Sequence, residues 1–226
     1  MPVHRGLQLP GLAGTSRPVK SAVRALELIE LFAHERRALR QREIIALLGY
    51  PQSSTNFLLR SLIQLGYVSY MRSERHYLPT PRVFGLGSWL RQSAYGPFCG
   101  SGPVRSLMEE LCSATGKTIG VATQNDIFVQ WHQVIDSKHS MNRLAAGSMM
   151  PLTYSSYGWM LLSMLPDRDA LKTCRMINFR EPETRHHVRP EYLLGSLETI
   201  RRQGYSYRRN MTIPGGGSIV MRLPPA

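Results

Sequence analysis

The sequence predicts an α+β fold in two parts, a small helical part followed by a larger one mixing helices and strands. Three observations carry that expectation. Apolar residues recur at helical spacing through roughly the first 65 residues, and two short β-type runs follow. A stretch rich in Gly and Pro, GPFCGSGP at 96–103, then interrupts the chain. Beyond it helical and strand-like segments alternate, with no internal repeat.

Each element has its own signal. VKSAVRALELIELFAHE repeats apolar residues at Val23, Leu26, Ile29 or Leu31, and Phe32 or Ala33, a first helix. RQREIIALLG has the stripe Ile44, Ile45, Leu48 and stops at Gly49. A third helix runs from about Ser53 to Leu65 and closes on Gly66. YVSYMR and RHYL form a hairpin around Ser73 and Glu74. PTPRVFGLGSWLRQSA reads as a fourth helix, weakened by Gly85 and Gly87. After the linker, PVRSLMEELCSATG is a helix ended by Gly116, and KTIGVATQ and IFVQWHQVI are strands around Asn125 and Asp126. SSYGWMLLSML and EYLLGSLETIRRQG are helices, and YSY and SIVMRL are strands. The resulting division is a flexible basic arm at 1–17, a winged helix–turn–helix at 18–80, a linker helix and hinge at 81–102, and an α+β domain at 103–226.

The formal net charge of +13 predicts an anionic partner. Residues 1–95 hold 13 Lys and Arg against 5 Asp and Glu, and residues 96–226 hold 15 against 10, so the bias is densest in the first part. Arg dominates there, and its planar fork suits phosphates and base edges. No stretch approaches about 18 consecutive apolar residues, and the N-terminus is too broken by Pro and Gly for a signal peptide. No membrane partner is expected. Three cysteines, Cys99, Cys112 and Cys174, lack CxxC spacing and point to a reducing cytoplasm.

The third helix opens with three small hydroxyl residues, Ser53, Ser54 and Thr55. On a helical wheel of about 100° per residue, Leu58, Leu59, Leu62 and Leu65 face the core, while Ser53, Asn56, Phe57, Arg60 and Gln64 face out. Such a face suits a DNA major groove: short amides and hydroxyls meet base edges, Arg forks onto guanine, and an aromatic ring rests on a thymine methyl. Small polar residues at the start let backbone N–H groups approach phosphates. The candidate DNA contacts are Gln52, Ser53, Ser54, Asn56, Phe57 and Arg60 on the helix, with Arg72 and Arg75 at the hairpin tip. A plain reading is an ordinary solvated face with Phe57 tucked under the wing.

VKSAVRALELIELF, SSTNFLLRSLIQLGYV, RHYLPTPRVFGLGSWL, GSMMPLTYSSYGWMLLSML and LETIRRQGYSYRRN, in that order and spacing, resemble the IclR family of bacterial transcription regulators. The resemblance runs from about Val19 to Arg222. It implies a winged helix–turn–helix joined by a linker helix to a GAF-like effector domain, a homodimer or dimer of dimers on palindromic double-stranded operator DNA, and a small organic effector, often aromatic or a carboxylate. It also implies an effector pocket at the loop before Pro151, the start of the next helix and the late strand, which here carry Met150, Ser156, Tyr157 and Ser218. Phe57 stands where many members carry Arg, and Gly158-Trp159 where a Gly-Lys pair is frequent. After GGGSIVMRLPPA the family continues with another strand pair and a helix. SIVMRL is therefore expected as an inner strand left with an open edge at Ser218, Ile219 and Val220, and effector binding as weak.

Other chemistry is set aside. Cys112 or Cys174 with His132 or His186 lacks any pattern of a nucleophile and its base, so no catalytic residue is assigned. His186-His187 has no ligand partners in sequence, so no metal site and no cofactor are assigned. PGGG at 214–217 lacks the following Lys-Ser/Thr of a phosphate loop. The rival class is a small-molecule-binding or catalytic GAF-like protein whose basic part does not bind DNA.

Overall fold

The computed structural model describes residues 18–93, 95–98, 102–137, 145–211 and 215–223. The expected basic arm at 1–17 and Cys99 lie outside them. The described residues fall into two compact units, one on each side of the 99/100 boundary.

In the first unit α1 (Lys20–Glu35) buries Leu28, Leu31 and Phe32, an i, i+3, i+4 stripe. That corrects the expected stripe, since Leu26 is 66% exposed. Two residues of β1 (Leu39–Arg40) lead into α2 (Gln41–Leu48), which ends at Gly49 in the left-handed region, φ 68°. The turn at Pro51 starts α3 (Gln52–Gln64). Thr55 is buried there, and both its N–H and its hydroxyl donate to the Pro51 carbonyl. One of the three opening hydroxyl residues thus belongs to the core.

Leu59 and Leu62 close that core together with Leu39, Ile44 and Val68. Leu65, expected inside, is 56% exposed. It sits at the helix C-cap, where the chain swings toward Gly66 (φ 77°) and leaves the buried stripe. The hairpin is β2 (Val68–Met71) and β3 (His76–Pro79), and β1 adds to β3 to give a three-stranded antiparallel sheet in the order β1-β3-β2. The expected fourth helix is two shorter pieces: α4 (Pro81–Gly87), then a 3-10 turn at Ser88–Gln92. The two glycines weaken α-helical continuation, and the Ser88 hydroxyl donates back to the Gly85 carbonyl at 3.1 Å.

The second unit begins with α5 (Pro103–Thr115), followed by β4 (Ile119–Asn125) and β5 (Phe128–Ile135) around Asp126 at φ 51°. β6 (Met149–Pro151) pairs with β5, so Met150 lies in a strand and not in the expected loop. A 3-10 turn at Leu152–Tyr154 enters α6 (Ser156–Ser163), which packs against both sheets and α8. α7 (Asp167–Arg180) is a helix the periodicity did not reveal. It is mostly polar and buries only Ala170, Cys174 and Ile177, a stripe one residue wide.

α8 (Pro190–Gln203) turns at Gly204 into β7 (Tyr205–Arg209), which pairs antiparallel with β8 (Gly217–Met221). Among the described residues β8 has β7 as its one strand partner, so Ser218, Ile219 and Val220 lie at the open edge expected. The core gathers Trp131, Trp159, Leu152, Leu162, Leu193 and Leu197. Among the described residues no helix is long and apolar enough to cross a membrane.

Candidate functional site

The outer face of α3 presents Ser53, Asn56, Phe57 and Arg60 around a shallow depression of about 190 Å³. Phe57 is 72% exposed, so it does not tuck under the wing. Asn56 is half-buried, and its Oδ1 accepts a hydrogen bond from Gln41 Nε2 at 2.7 Å. Gln52 is exposed and Ser54 half-buried in the first turn, where no side chain caps the helix. Its first N–H groups carry the positive end of the helix dipole.

Tyr77 lies in the wing against Tyr70, ring centroids 4.8 Å apart. Burial pushes its phenol up, Tyr70 adds to this, and the positive charge of Arg60 opposes both. Arg60 of α3 and the hairpin therefore share one electrostatic neighbourhood. Arg72 and Arg75 are exposed at the hairpin tip, with Arg75 in the left-handed region at φ 56°. The wing base is tied by the Thr80 hydroxyl donating to the Gly66 carbonyl at 2.6 Å and by Arg82 over the Tyr67 ring at 4.8 Å. Glu43, the acid in the first turn of α2, accepts from the Arg40 backbone N–H at 2.8 Å and from Arg37 at 2.7 Å. Those donors hold its carboxyl below the usual range.

In the second unit two of the four effector candidates, Ser156 and Ser218, are joined directly. Ser218 Oγ donates to Ser156 Oγ at 2.8 Å, joining β8 to the start of α6. Tyr157 packs edge-on against Trp131, centroids 5.4 Å apart, and burial raises its hydroxyl. Gly120 leaves the gap they fill, since a Cβ there would stand 3.2 Å from both the Tyr157 hydroxyl and the Trp131 ring. The Trp131 indole N–H is buried beside the Tyr157 hydroxyl, whose upward shift it opposes without reaching full hydrogen-bond geometry. Met150 packs on the core from β6.

A separate groove of about 560 Å³ runs between α8 and β7, with Tyr192, Tyr205, Tyr207 and Arg208 among its walls. None of the four effector candidates lines it. Arg208 is held over the Trp159 ring at 4.1 Å and donates to the Tyr192 hydroxyl at 2.9 Å. Trp159, standing where a lysine was expected from the resemblance, is a buried core residue whose indole N–H donates to the Thr153 carbonyl at 2.9 Å. Two residues of interest, Gln41 and Trp131, escaped the sequence reading. Helix–turn–helix spacing could have pointed to Gln41, because the first residue of α2 lies across the middle of α3; nothing in the sequence marks Trp131.

Family profiles match on both sides of the linker. The IclR helix-turn-helix domain matches residues 21–71, and the bacterial transcriptional regulator IclR C-terminal domain matches residues 103–221. The chain belongs to the IclR family. It is similar to the transcriptional repressor IclR of Escherichia coli K12, 26% identical over 211 residues, covering 92% of this chain and 76% of that protein. The effector domain of a transcriptional regulator IclR from Acinetobacter sp. ADP1 is 30% identical over 54% of this chain and 72% of that one, with a TM-score of 0.51. An IclR homologue from Microbacterium hydrocarbonoxydans, solved with 4-hydroxybenzoate, shares the fold at a TM-score of 0.54 and 18% identity, covering 91% of this chain and 84% of that one. This IclR-family chain is a DNA-binding transcription regulator with an N-terminal helix–turn–helix domain and a C-terminal effector domain.

Proposed function

We propose that this regulator binds palindromic operator DNA as a homodimer, or a dimer of dimers, and that a small organic effector bound by its second unit modulates that binding. Residues 18–80 read the DNA, 81–102 join the two parts, and 103–226 sense the effector. The observation that carries the DNA reading is the outer face of α3, where Ser53, Asn56, Phe57 and Arg60 surround one depression with Phe57 held out to solvent. Ser53, Asn56 and Arg60 meet base edges, Phe57 meets a thymine methyl, and Gln52 and Ser54 bring the helix start to a phosphate. Arg72 and Arg75 anchor the wing to the backbone.

A single recognition helix covers one half-site, so a two-fold partner completes a palindrome. Phe84, Leu86 and Trp89, exposed on α4 and the following turn, supply an apolar surface for that partner. For the effector, Met150, Ser156, Tyr157 and Ser218 form the wall, and the Trp131 indole beside the Tyr157 hydroxyl offers a donor to an acceptor-bearing aromatic or carboxylate ligand. The 4-hydroxybenzoate bound by the Microbacterium homologue is a ligand of that chemistry. The protein performs no catalysis and acts in the cytoplasm, where bacterial operators are.

Gel shifts of the full chain on the DNA upstream of its own gene, run across salt, test the reading. Affinity should fall steeply as salt rises, because each neutralised phosphate releases counterions. Absent or salt-insensitive binding would overturn it in favour of a small-molecule-binding protein.

A further inference from the structure

We infer that Gln41 decides which chemical edge of the DNA Asn56 reads. The inference rests on the assignment of the outer face of α3 to base recognition. Gln41 is the first residue of α2, and its amide crosses to α3 and donates to Asn56 Oδ1 at 2.7 Å. Both side chains are half-buried, so the bond is partly shielded from competing water.

An asparagine amide has one acceptor oxygen and one NH2 group about 120° apart on a planar carbon. With Oδ1 engaged by Gln41, Nδ2 is the amide group left for the depression that Asn56 lines with Ser53, Phe57 and Arg60. A free asparagine pairs with adenine through both atoms, accepting from N6 and donating to N7. Held by Gln41, Asn56 offers donors. Its Nδ2 donor fits a major-groove acceptor, N7 of adenine or guanine, O6 of guanine or O4 of thymine, and it rejects the N4 donor of cytosine. Gln41 is a positioning residue, acting on base choice through Asn56.

Gln41→Glu tests this with a predicted reversal. A carboxylate only accepts, so Asn56 turns its amide over, gives Nδ2 to the carboxylate and presents Oδ1 to the DNA. The full-length protein is used to select binding sites from a pool of randomised duplexes. In the wild type one motif position disfavours cytosine. In Gln41→Glu that position and its symmetry mate come to favour cytosine over guanine and thymine, a change of about tenfold in preference, while the other positions keep theirs. The added negative charge lowers affinity for all sequences alike, and absolute Kd reports that separately.

Gln41→Ala, which frees both amide atoms, shifts preference at the same position toward adenine. Asn56→Ala combined with Gln41→Glu abolishes the switch. A bond that merely joins the two helices would change affinity and leave base preference alone. If the wild type selects a motif and Gln41→Glu alters no position, the positioning role is refuted while base reading by α3 stands. If the wild type selects no motif, both fall.

Discussion

Two glycine-to-alanine substitutions in adjacent helices should move stability in opposite directions. Gly158 is buried in the first turn of α6, and a Cβ there would stand 1.8 Å from the Leu152 carbonyl oxygen and 2.4 Å from its carbon. That neighbour is backbone, so no rotamer change relieves the clash. The whole helix must lift off the Leu152–Tyr154 turn, and this also strains the Trp159 bond to the Thr153 carbonyl and the Ser155 cap on the Gly158 N–H. Overpacking of this kind costs about 3 kcal/mol or more. Gly195, on the exposed side of α8, has nothing within 4 Å of its Cβ position. Alanine there gains about 0.5–1 kcal/mol from reduced unfolded-state entropy and better helix propensity.

Urea unfolding followed by tryptophan fluorescence reads the second unit, because Trp131 and Trp159 are buried there while Trp89 is exposed in the first. With a slope of about 2 kcal/mol/M, the Gly158→Ala midpoint drops by about 1.5 M and the Gly195→Ala midpoint rises by about 0.3 M. Equal midpoints for the two variants would refute the claim that helix α6 docks through a backbone contact only glycine permits.

Arg60→Ala and Asn56→Ala should each lose about 1–3 kcal/mol of discrimination between operator and random DNA in competition gel shifts. Arg72→Ala and Arg75→Ala should weaken both DNAs alike and lower the salt slope by about 1 each; identical behaviour of the two pairs would erase the distinction between reading helix and anchoring wing. Trp89→Asp should move the full chain from dimer to monomer in sedimentation and weaken binding to a palindrome more than to a half-site. An unchanged sedimentation profile counts against α4 and its following turn as the dimer surface. Burial holds the His132 imidazole below its ordinary value of 6.5, so the unfolded chain takes up the proton first. Its contribution to stability is full above pH 6.5 and is lost as pH falls through the folded value. His132→Gln should therefore flatten the decline in urea midpoint between about pH 7 and 5, and an unaltered decline would assign it to other groups.

Local periodicity was enough for the elements that bury a wide apolar stripe or end in a turn signal. α2 with Gly49, α5 with Gly116, the β2–β3 hairpin and the outward face at Ser53, Asn56, Phe57 and Arg60 were all legible, because 3.6- and 2-residue repeats separate core from solvent. α7 was not, since Ala170, Cys174 and Ile177 make a seam too narrow to rise above its polar residues. The register of α1 was also hidden: several apolar positions compete, and only packing against Ile44, Leu59 and Leu62 selects Leu28, Leu31 and Phe32 over Leu26. Contacts between residues far apart in sequence belong to the tertiary structure alone. Gln41 on Asn56, Ser218 on Ser156 and the Tyr157 ring against Trp131 each join elements whose separate patterns carry no trace of the other. Composition and periodicity state which side chains leave the core, whereas the direction in which an amide or an indole N–H points is set by the neighbour that folding brings against it.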